Sequence, residues 1–202
     1  MTIVGAVQIG VIAVLFVTIA LKIGSQLRQG LRAVVLGKAG DGLLSRLEPL
    51  QVLFLFAWFS CIALHGAGLA QGLFEPRLFR SGWAEAAGTL LSLGGLVLLI
   101  ASLIHMGQSW RIGIDPEVKQ PLVTTGVFGV SRNPIYAAMD LIALGSFLVS
   151  GSAFFLATGL LVAAGVHTQI LREERFLSRH FGEEYAAYRA RVGRYLGRRG
   201  GP

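Results

Sequence analysis

Long uncharged apolar runs, separated by short polar stretches, are the main pattern along this chain. Three of the runs, at residues 3–21, 50–70 and 86–104, contain no Lys, Arg, Asp or Glu. Each is about 20 residues long, and at about 1.5 Å per residue this length matches a hydrocarbon core of about 30 Å. The pattern therefore predicts three transmembrane helices in the first half of the chain.

Two further apolar runs, at residues 135–150 and 152–170, follow a polar segment at 107–134. Only a short Ser-Gly-Ser sequence separates them, and a glycine between two helical runs is typical of a tight turn. We expect a helical hairpin that crosses the membrane and returns. This gives an all-α integral membrane protein with five transmembrane helices, in which residues 1–202 form a single domain.

The tail, residues 171–196, carries apolar side chains at helical spacing. They recur every three or four positions, which places them on one face of an α-helix. These residues are Leu177, Phe181, Tyr185, Tyr188, Val192 and Leu196. Arginine and glutamate fill the other positions, so the sequence predicts a C-terminal amphipathic helix whose basic face suits anionic membrane lipids.

Composition and charge support this plan and orient it. Hydrophobic residues make up 53% of the 202 residues and charged residues only 14%, whereas a soluble domain carries about 25% charged residues. The net charge of +7 does not indicate nucleic-acid binding, which needs a basic face on a soluble fold. With the N-terminus outside, 16 of the 18 Lys and Arg residues fall on cytoplasmic segments. Residues 107–134 and 171–196 are thus predicted to be cytoplasmic, so any chemistry that uses a cytosolic cofactor belongs there.

Cysteine and histidine give no sign of a metal site. The one cysteine, Cys61, excludes an internal disulfide and a zinc site built from cysteines. His65, His105 and His167 lie in or near different apolar runs, at spacings unlike those of metal ligands. No metal is predicted.

The start of the fourth predicted helix carries polar residues that lipid does not tolerate. Asn133-Pro134 is typical of a helix start, because Asn caps free backbone N–H groups and Pro needs no hydrogen bond at the first position. Asn133, Tyr136 and Asp140 then lie at positions i, i+3 and i+7 and share a helix face. Since Asp140 is two turns into an apolar run, this face is expected to meet a protein interior or a wet cavity.

The order of these motifs resembles the C-terminal half of the isoprenylcysteine carboxyl methyltransferase family, which is related to phospholipid N-methyltransferases. The resemblance spans residues 107–196. It rests on residues 122–126, on Arg132-Asn133-Pro134-Ile135-Tyr136, on the hairpin, on Glu173-Glu174 and on residues 181–188. It implies an integral membrane methyltransferase that uses S-adenosylmethionine. The methyl group would pass in line to a carboxylate, thiol or amine of a lipophilic or amphiphilic acceptor.

The resemblance also implies a cofactor site between the polar segment, the start of the fourth helix and the early tail. An adenine ring suits apolar and aromatic contacts, ribose hydroxyls suit a carboxylate such as Glu173, and Arg132 suits the cofactor's own carboxylate. Glu174 and Asp140 are candidate general bases for an amine acceptor. The implied cofactor residues are Gln120, Pro121, Leu122, Val123, Phe128, Asn133, Pro134, Ile135, Tyr136 and Glu173.

The substrate side departs from the family pattern. Eukaryotic members carry an arginine one turn before the glutamate pair, whereas this chain has Gln169. Arg172 is the candidate replacement for that cation. The predicted acceptor is a lipophilic small molecule or a lipidated substrate that enters from the lipid beside the hairpin. Its identity and the oligomeric state stay open.

Two other functions stay open at this point. One is an NADPH-dependent reductase related to the sterol reductases, whose C-terminal signature also combines an Arg with a later Asn-Tyr and an Asp. The other is a membrane scaffold without catalysis. Binding of S-adenosylhomocysteine, of NADPH or of neither separates the three possibilities.

Overall fold

The computed structural model describes residues 2–38, 42–115 and 121–197, and the chain in these ranges is helical. The helices are α1 (Ile3–Arg28), α2 (Leu43–Gly66), α3 (Gly82–Met106), α4 (Pro134–Ser150) and α5 (Ala153–Arg191). Within these ranges, β-structure is limited to isolated bridges, such as those of Val34 with Ile112 and of Arg77 with Ser152. The predicted all-α architecture is confirmed.

Four of the helices in the described part of the chain are long and apolar enough to cross a membrane, namely α1, α2, α3 and α5. The fourth helix, α4, is also apolar but has only 17 residues. Large apolar side chains face outward along α3, where Trp83 is 89% exposed and Leu90 is 70% exposed. Such a surface suits lipid contact. The number of five spans and the orientation stay predictions.

The two last helices form the hairpin that the sequence predicts. Gly151 follows α4 in the left-handed conformation, with φ 61° and ψ 15°, which glycine adopts without steric cost. Ser152 then caps α5, because its hydroxyl accepts a hydrogen bond from the Phe154 N–H at 3.1 Å. The turn therefore contains only two residues between the helices.

The tail differs from its prediction as a separate helix over residues 171–196. α5 continues from the membrane-length run as far as Phe181, breaks at Gly182 with φ 50° and ψ −119°, and ends at Arg191. The apolar face survives this break, because a small second core contains Leu122, Leu177, Phe181, Tyr185, Tyr188 and Val192. Leu196 lies beyond the helix and is 73% exposed.

Close contact with α3 fixes the position of α4. A Cβ atom added at Gly95 of α3 would lie 2.8 Å from the carbonyl oxygen of Ala138 and 2.8 Å from Ile142 Cγ1. One added at Gly88 would lie 2.5 Å from the carbonyl oxygen of Gly145. Small residues allow helix backbones to approach in this way. The N-terminus of α4 is thereby held beside the C-terminal end of α3.

Backbone pairing closes the same end of the helix bundle. The Val35 N–H donates to the carbonyl oxygen of Ile112 at 2.8 Å, and the Ile112 N–H donates to that of Ala33 at 2.9 Å. The segment after α1 and the segment after α3 therefore lie side by side. This contact brings Arg111 close to the first turns of α2.

Substitution Gly95→Ala is expected to destabilise the protein by about 1–3 kcal/mol, because the new methyl group would overpack the α3–α4 contact. Unfolding followed by circular dichroism in detergent measures this. Gly94→Ala is the matched control, since a Cβ at Gly94 meets open space and alanine favours a helix. Equal unfolding temperatures for the two variants would contradict the proposed packing.

Candidate functional site

A cavity of about 540 Å³ lies between α2, α3, α4 and α5. Most of its wall is apolar, with Phe59 from α2, Leu103 from α3, Met139 from α4 and Val166 from α5. Polar side chains gather where the first turns of α2 and α4 meet the segment after α3 and the middle of α5. They are Glu48, Gln51, Arg111, Tyr136, Gln169 and Glu173.

Glu173 is held at this polar end by two side chains. The Tyr136 hydroxyl donates a short hydrogen bond to Oε1 of Glu173. The Gln169 amide, one helical turn earlier, donates to the same oxygen at 3.4 Å. Three residues predicted from the sequence, Tyr136, Gln169 and Glu173, thus meet on one wall of the cavity, and Ile135 lines it as well.

Arg172, the predicted substrate cation, does not line the cavity. Its NH1 lies 2.8 Å from Oε1 of Glu48, and the side chains are only 1% and 3% exposed. The other oxygen of Glu48 accepts a hydrogen bond from the Gly37 N–H at 2.7 Å. Arg172 NH1 also donates to the Gln169 side-chain oxygen at 2.9 Å. This buried pair ties α5 to α2 at the polar end of the cavity, where Glu48 is part of the lining.

Glu174 points away from Glu173 and joins a second buried network. Arg132 NH2 donates to Oε1 of Glu174 at 2.8 Å. Arg194 donates to Oε2 from NH2 at 2.9 Å and from Nε at 3.1 Å. These bonds to the carboxylate raise the pKa of the Arg194 guanidinium above its ordinary value. Both oxygens of Glu174 are therefore engaged by cations.

Asn133 belongs to the same network, and its predicted role as a helix cap is wrong. Asn133 stands at the N-cap position of α4, but its side chain makes no capping hydrogen bond. Its amide instead donates to Glu174 Oε1 at 3.3 Å and to the Arg194 carbonyl oxygen at 3.1 Å. Because the amide nitrogen is bonded to a buried carboxylate and to a backbone carbonyl oxygen, the side chain is not oriented as a cap. Pro134 does stand in the first turn, as predicted.

The network holds the end of the described chain on the loop before α4. The Arg132 N–H donates to the Gly193 carbonyl oxygen at 3.0 Å, and the Gly197 N–H donates to that of Val130 at 2.9 Å. Together with the Arg194–Glu174 pair, these contacts fix residues 193–197, which we call the terminal segment. From the sequence alone, Arg194 contributes only to the charge count that predicts the orientation in the membrane.

Asp140, the third predicted catalytic residue, lies outside the cavity lining. It is within electrostatic reach of His167 on α5 and of Tyr195 in the terminal segment. His167 Nδ1 lies 2.6 Å from the Tyr195 hydroxyl oxygen, and the two rings stack. Of the three residues expected to share one helix face, only Tyr136 lines the cavity. The Asn133 side chain is bonded to Glu174 instead.

The polar segment before α4 contacts the tail. Leu122 packs against Tyr185 and Tyr188 in the second core, and the Phe128 carbonyl oxygen accepts a hydrogen bond from the Tyr188 hydroxyl at 2.7 Å. The other predicted cofactor residues of this segment are Pro121, Val123 and Pro134, which do not line the cavity, and Gln120, which lies outside the described residues.

Sequence reasoning missed Glu48 and Arg111. Glu48 is the last charged residue before the second apolar run, and Arg111 is the first Lys or Arg after the third run, seven residues beyond its end. Both were therefore visible as charges at helix ends, but nothing local indicated that they would meet in one cavity. Within the described ranges, no group of three or more His, Cys, Asp and Glu side chains is arranged to hold a metal ion.

The comparison with known protein families matches the middle and much of the C-terminal part of the chain. The sequence profile of the phospholipid methyltransferase family covers residues 83–184, just over half of the chain. This region includes α3, α4 and α5 as far as the residues after the break. It contains Tyr136, Glu173 and Glu174, but it ends before the terminal segment.

Individual relatives extend the match. Protein-S-isoprenylcysteine O-methyltransferase B of Arabidopsis thaliana is 28% identical over 127 residues, which are 61% of this chain and 64% of the relative. The rat protein-S-isoprenylcysteine O-methyltransferase is 27% identical over 125 residues, 60% of this chain and 44% of the relative. In both, the match spans less than two thirds of the relative's own length. Because the family profile covers half of the sequence, the chain belongs to the phospholipid methyltransferase family.

Proposed function

We propose that this protein is an S-adenosylmethionine-dependent membrane methyltransferase, and that its acceptor is a lipophilic or amphiphilic molecule bound in the cavity. The observation that carries the proposal is the cavity itself, which combines an apolar wall with one polar end containing Tyr136, Gln169 and Glu173. Family membership supports the reaction class. The names of the relatives, isoprenylcysteine O-methyltransferases, support a lipid-like acceptor.

The side chains at the polar end fit the methyl donor. Glu173 supplies a carboxylate for ribose hydroxyls, while Ile135 and Tyr136 supply apolar and aromatic surface for an adenine ring. Arg111 also lines this end, but its NH1 already pairs with Asp115 at 2.5 Å, so we assign no guanidinium to the carboxylate of the amino-acid end. When bound, the cofactor supplies an electrophilic methyl group on a sulfonium. Arg132, considered for the same carboxylate, is instead committed to Glu174.

The proposed contribution of the protein is orientation and exclusion of water. A carboxylate or thiolate acceptor needs no general base, and holding it in line with the methyl group accounts for much of the rate. For an amine acceptor, neither Glu174 nor Asp140 is placed to act as the general base. Glu174 has both oxygens bonded to cations, and Asp140 does not line the cavity.

We assign Arg132, Asn133 and Glu174 a positioning role. Their network connects the loop before α4 to the terminal segment and so holds the helix turn that carries Tyr136. Arg172 has the corresponding role between α5 and α2, through its pair with Glu48. With the predicted orientation, both pairs lie at the cytoplasmic end of the protein, where a soluble methyl donor enters.

The acceptor is proposed to occupy the apolar part of the cavity. A volume of about 540 Å³ lies in the range of about 300–1,000 Å³ that is usual for small-molecule sites. Its wall includes Phe54 and Phe56 of α2 and Leu161 of α5, and all three side chains are at least partly exposed. The gap between α2 and α5 is thus a route from lipid into the cavity.

Substitution Glu173→Gln is expected to weaken binding of S-adenosylhomocysteine by about tenfold or more, because hydrogen bonds to a charged acceptor are stronger than neutral ones. Isothermal titration calorimetry in detergent measures the affinity. The exposed Glu183 of the same helix provides the matched control as Glu183→Gln. Unchanged affinity in Glu173→Gln would overturn the cofactor site, and binding of NADPH instead would favour a reductase.

Substitution Gly165→Leu is expected to fill part of the acceptor space. Gly165 lines the cavity, and a Cβ there meets nothing within 4 Å. Methyl transfer from labelled S-adenosylmethionine into the lipid-soluble fraction is measured with purified membranes. It should fall by about tenfold, because a misfit of one apolar group in a hydrophobic pocket lowers the catalytic efficiency by about that factor or more. Affinity for S-adenosylhomocysteine should stay unchanged. The control is Gly94→Leu, whose side chain faces outward from α3; a similar loss there would contradict the assignment.

Substitution Glu174→Gln is expected to destabilise the protein by about 3 kcal/mol or more, because it leaves the buried Arg132 without its counter-ion. The terminal segment should then be released. Limited trypsin digestion measures this as faster cleavage after Arg191 and Arg194, and thermal unfolding gives the stability. Glu184→Gln, exposed on the same helix, is the control. Wild-type cleavage rates in Glu174→Gln would show that Glu174 does not hold the segment.

A further inference from the structure

A groove lined by arginines lies on the tail, apart from the cavity. Arg175 and Arg179 come from the part of α5 before the break at Gly182. Arg189 comes from the part after the break, and Arg194 comes from the terminal segment. Leu171, Ser178 and Glu174 complete the lining. We call this the arginine groove.

The break at Gly182 is what brings these arginines together. Arg175 and Arg179 are four residues apart and therefore share a helix face. Arg189 and Arg194 are 10 or more residues later in the chain, and on an unbroken helix they would lie about 15 Å or more further along. The change of direction at Gly182, together with the Arg194–Glu174 pair, returns them to the same face.

The charge of the arginine groove is strongly positive. Among the described residues, four guanidinium groups line it, against one carboxylate, that of Glu174. This carboxylate is already bonded through both oxygens, to Arg194 on the groove side and to Arg132 behind it. Arg175 lies along the groove wall, because its Nε–H donates to the Leu171 carbonyl oxygen at 3.2 Å. The exposed Glu183 and Glu184 of the tail are not part of the lining.

The position of the arginine groove along α5 matches the phosphate layer of a membrane. Arg175 and Arg179 follow the end of the apolar run at Ile170 by five and nine residues, or about 8 and 14 Å of helix. The headgroup layer begins at the edge of the hydrocarbon core and is about 5–8 Å thick on each side. The groove therefore begins at the outer edge of the layer that contains the lipid phosphates.

We propose that the arginine groove is a binding site for a phosphate group, carried by an anionic phospholipid headgroup or present as a free phosphate ion. Arginine forks match phosphate oxygens in pairs, and several arginines around one concavity are the arrangement that recognises phosphate. A bound phosphate would bridge the two parts of α5 and the terminal segment. It would thereby reinforce the contacts that hold the loop before α4.

The test uses the full chain in detergent and the double variant Arg175→Gln/Arg179→Gln. Both arginines are exposed, so the variant is expected to fold and to keep its affinity for S-adenosylhomocysteine. Arg28→Gln/Arg46→Gln is the matched control, because it removes the same charge from exposed positions outside the groove. Binding of dioleoyl phosphatidylglycerol and of dioleoyl phosphatidylcholine is titrated by native mass spectrometry. Inorganic phosphate is titrated separately, at constant ionic strength, by thermal unfolding.

We expect the wild type to bind phosphatidylglycerol at one site with about tenfold preference over phosphatidylcholine, and the groove variant alone to lose that preference. This result identifies a lipid headgroup as the source of the phosphate. Stabilisation by inorganic phosphate that only the groove variant loses, without lipid preference, identifies the free ion. The proposal is overturned if neither probe distinguishes the groove variant from wild type, or if the control variant loses binding equally.

Discussion

Neighbouring residues on an α-helix point about 100° apart, and the site depends on this constraint at Glu173 and Glu174. One carboxylate enters the cavity and meets Tyr136. The next turns out of the cavity and meets Arg132 and Arg194. A single step along α5 thus separates a group that is available to ligands from a group that holds the surrounding chain in place.

Buried arginines are tolerated in this largely apolar protein because each has a carboxylate partner. Burial of a charge costs several kcal/mol unless a partner and further hydrogen bonds offset it. Arg172 has Glu48, and Arg132 has Glu174, while Asn133 and backbone groups occupy further positions in these networks. The Arg132–Glu174 pair lies outside the cavity lining, whereas Glu48 of the other pair is part of it. Together the two pairs hold the elements that carry Tyr136 and Glu173.

The helices could be predicted from sequence because their signals, the apolar runs and the Ser-Gly-Ser turn, are local. The placement of Tyr136 and Glu173 in one site came instead from the resemblance of the motif order to a known family. The partners of the arginines could not be predicted, since Glu48 and Arg172 are distant in sequence. Asn133 was wrongly predicted to cap α4, because the residues that bind its side chain, Glu174 and Arg194, are distant in sequence. The break at Gly182 was invisible, since the apolar face continues across it.

The cavity wall combines helices inside the region shared with the family and a helix that precedes this region. α4 and α5 lie in the region shared with the family, whereas α2 lies before it. The residues proposed to contact a methyl donor, Tyr136 and Glu173, lie inside that region, whereas part of the apolar wall, including Phe54 and Phe56, lies before it. Substitutions in this part of α2 can change the shape and length of the apolar space while leaving Tyr136 and Glu173 in place. Under the proposed function, this division allows one reaction to be adapted to different acceptors, and it identifies α2 as a helix to randomise in engineering a new acceptor range.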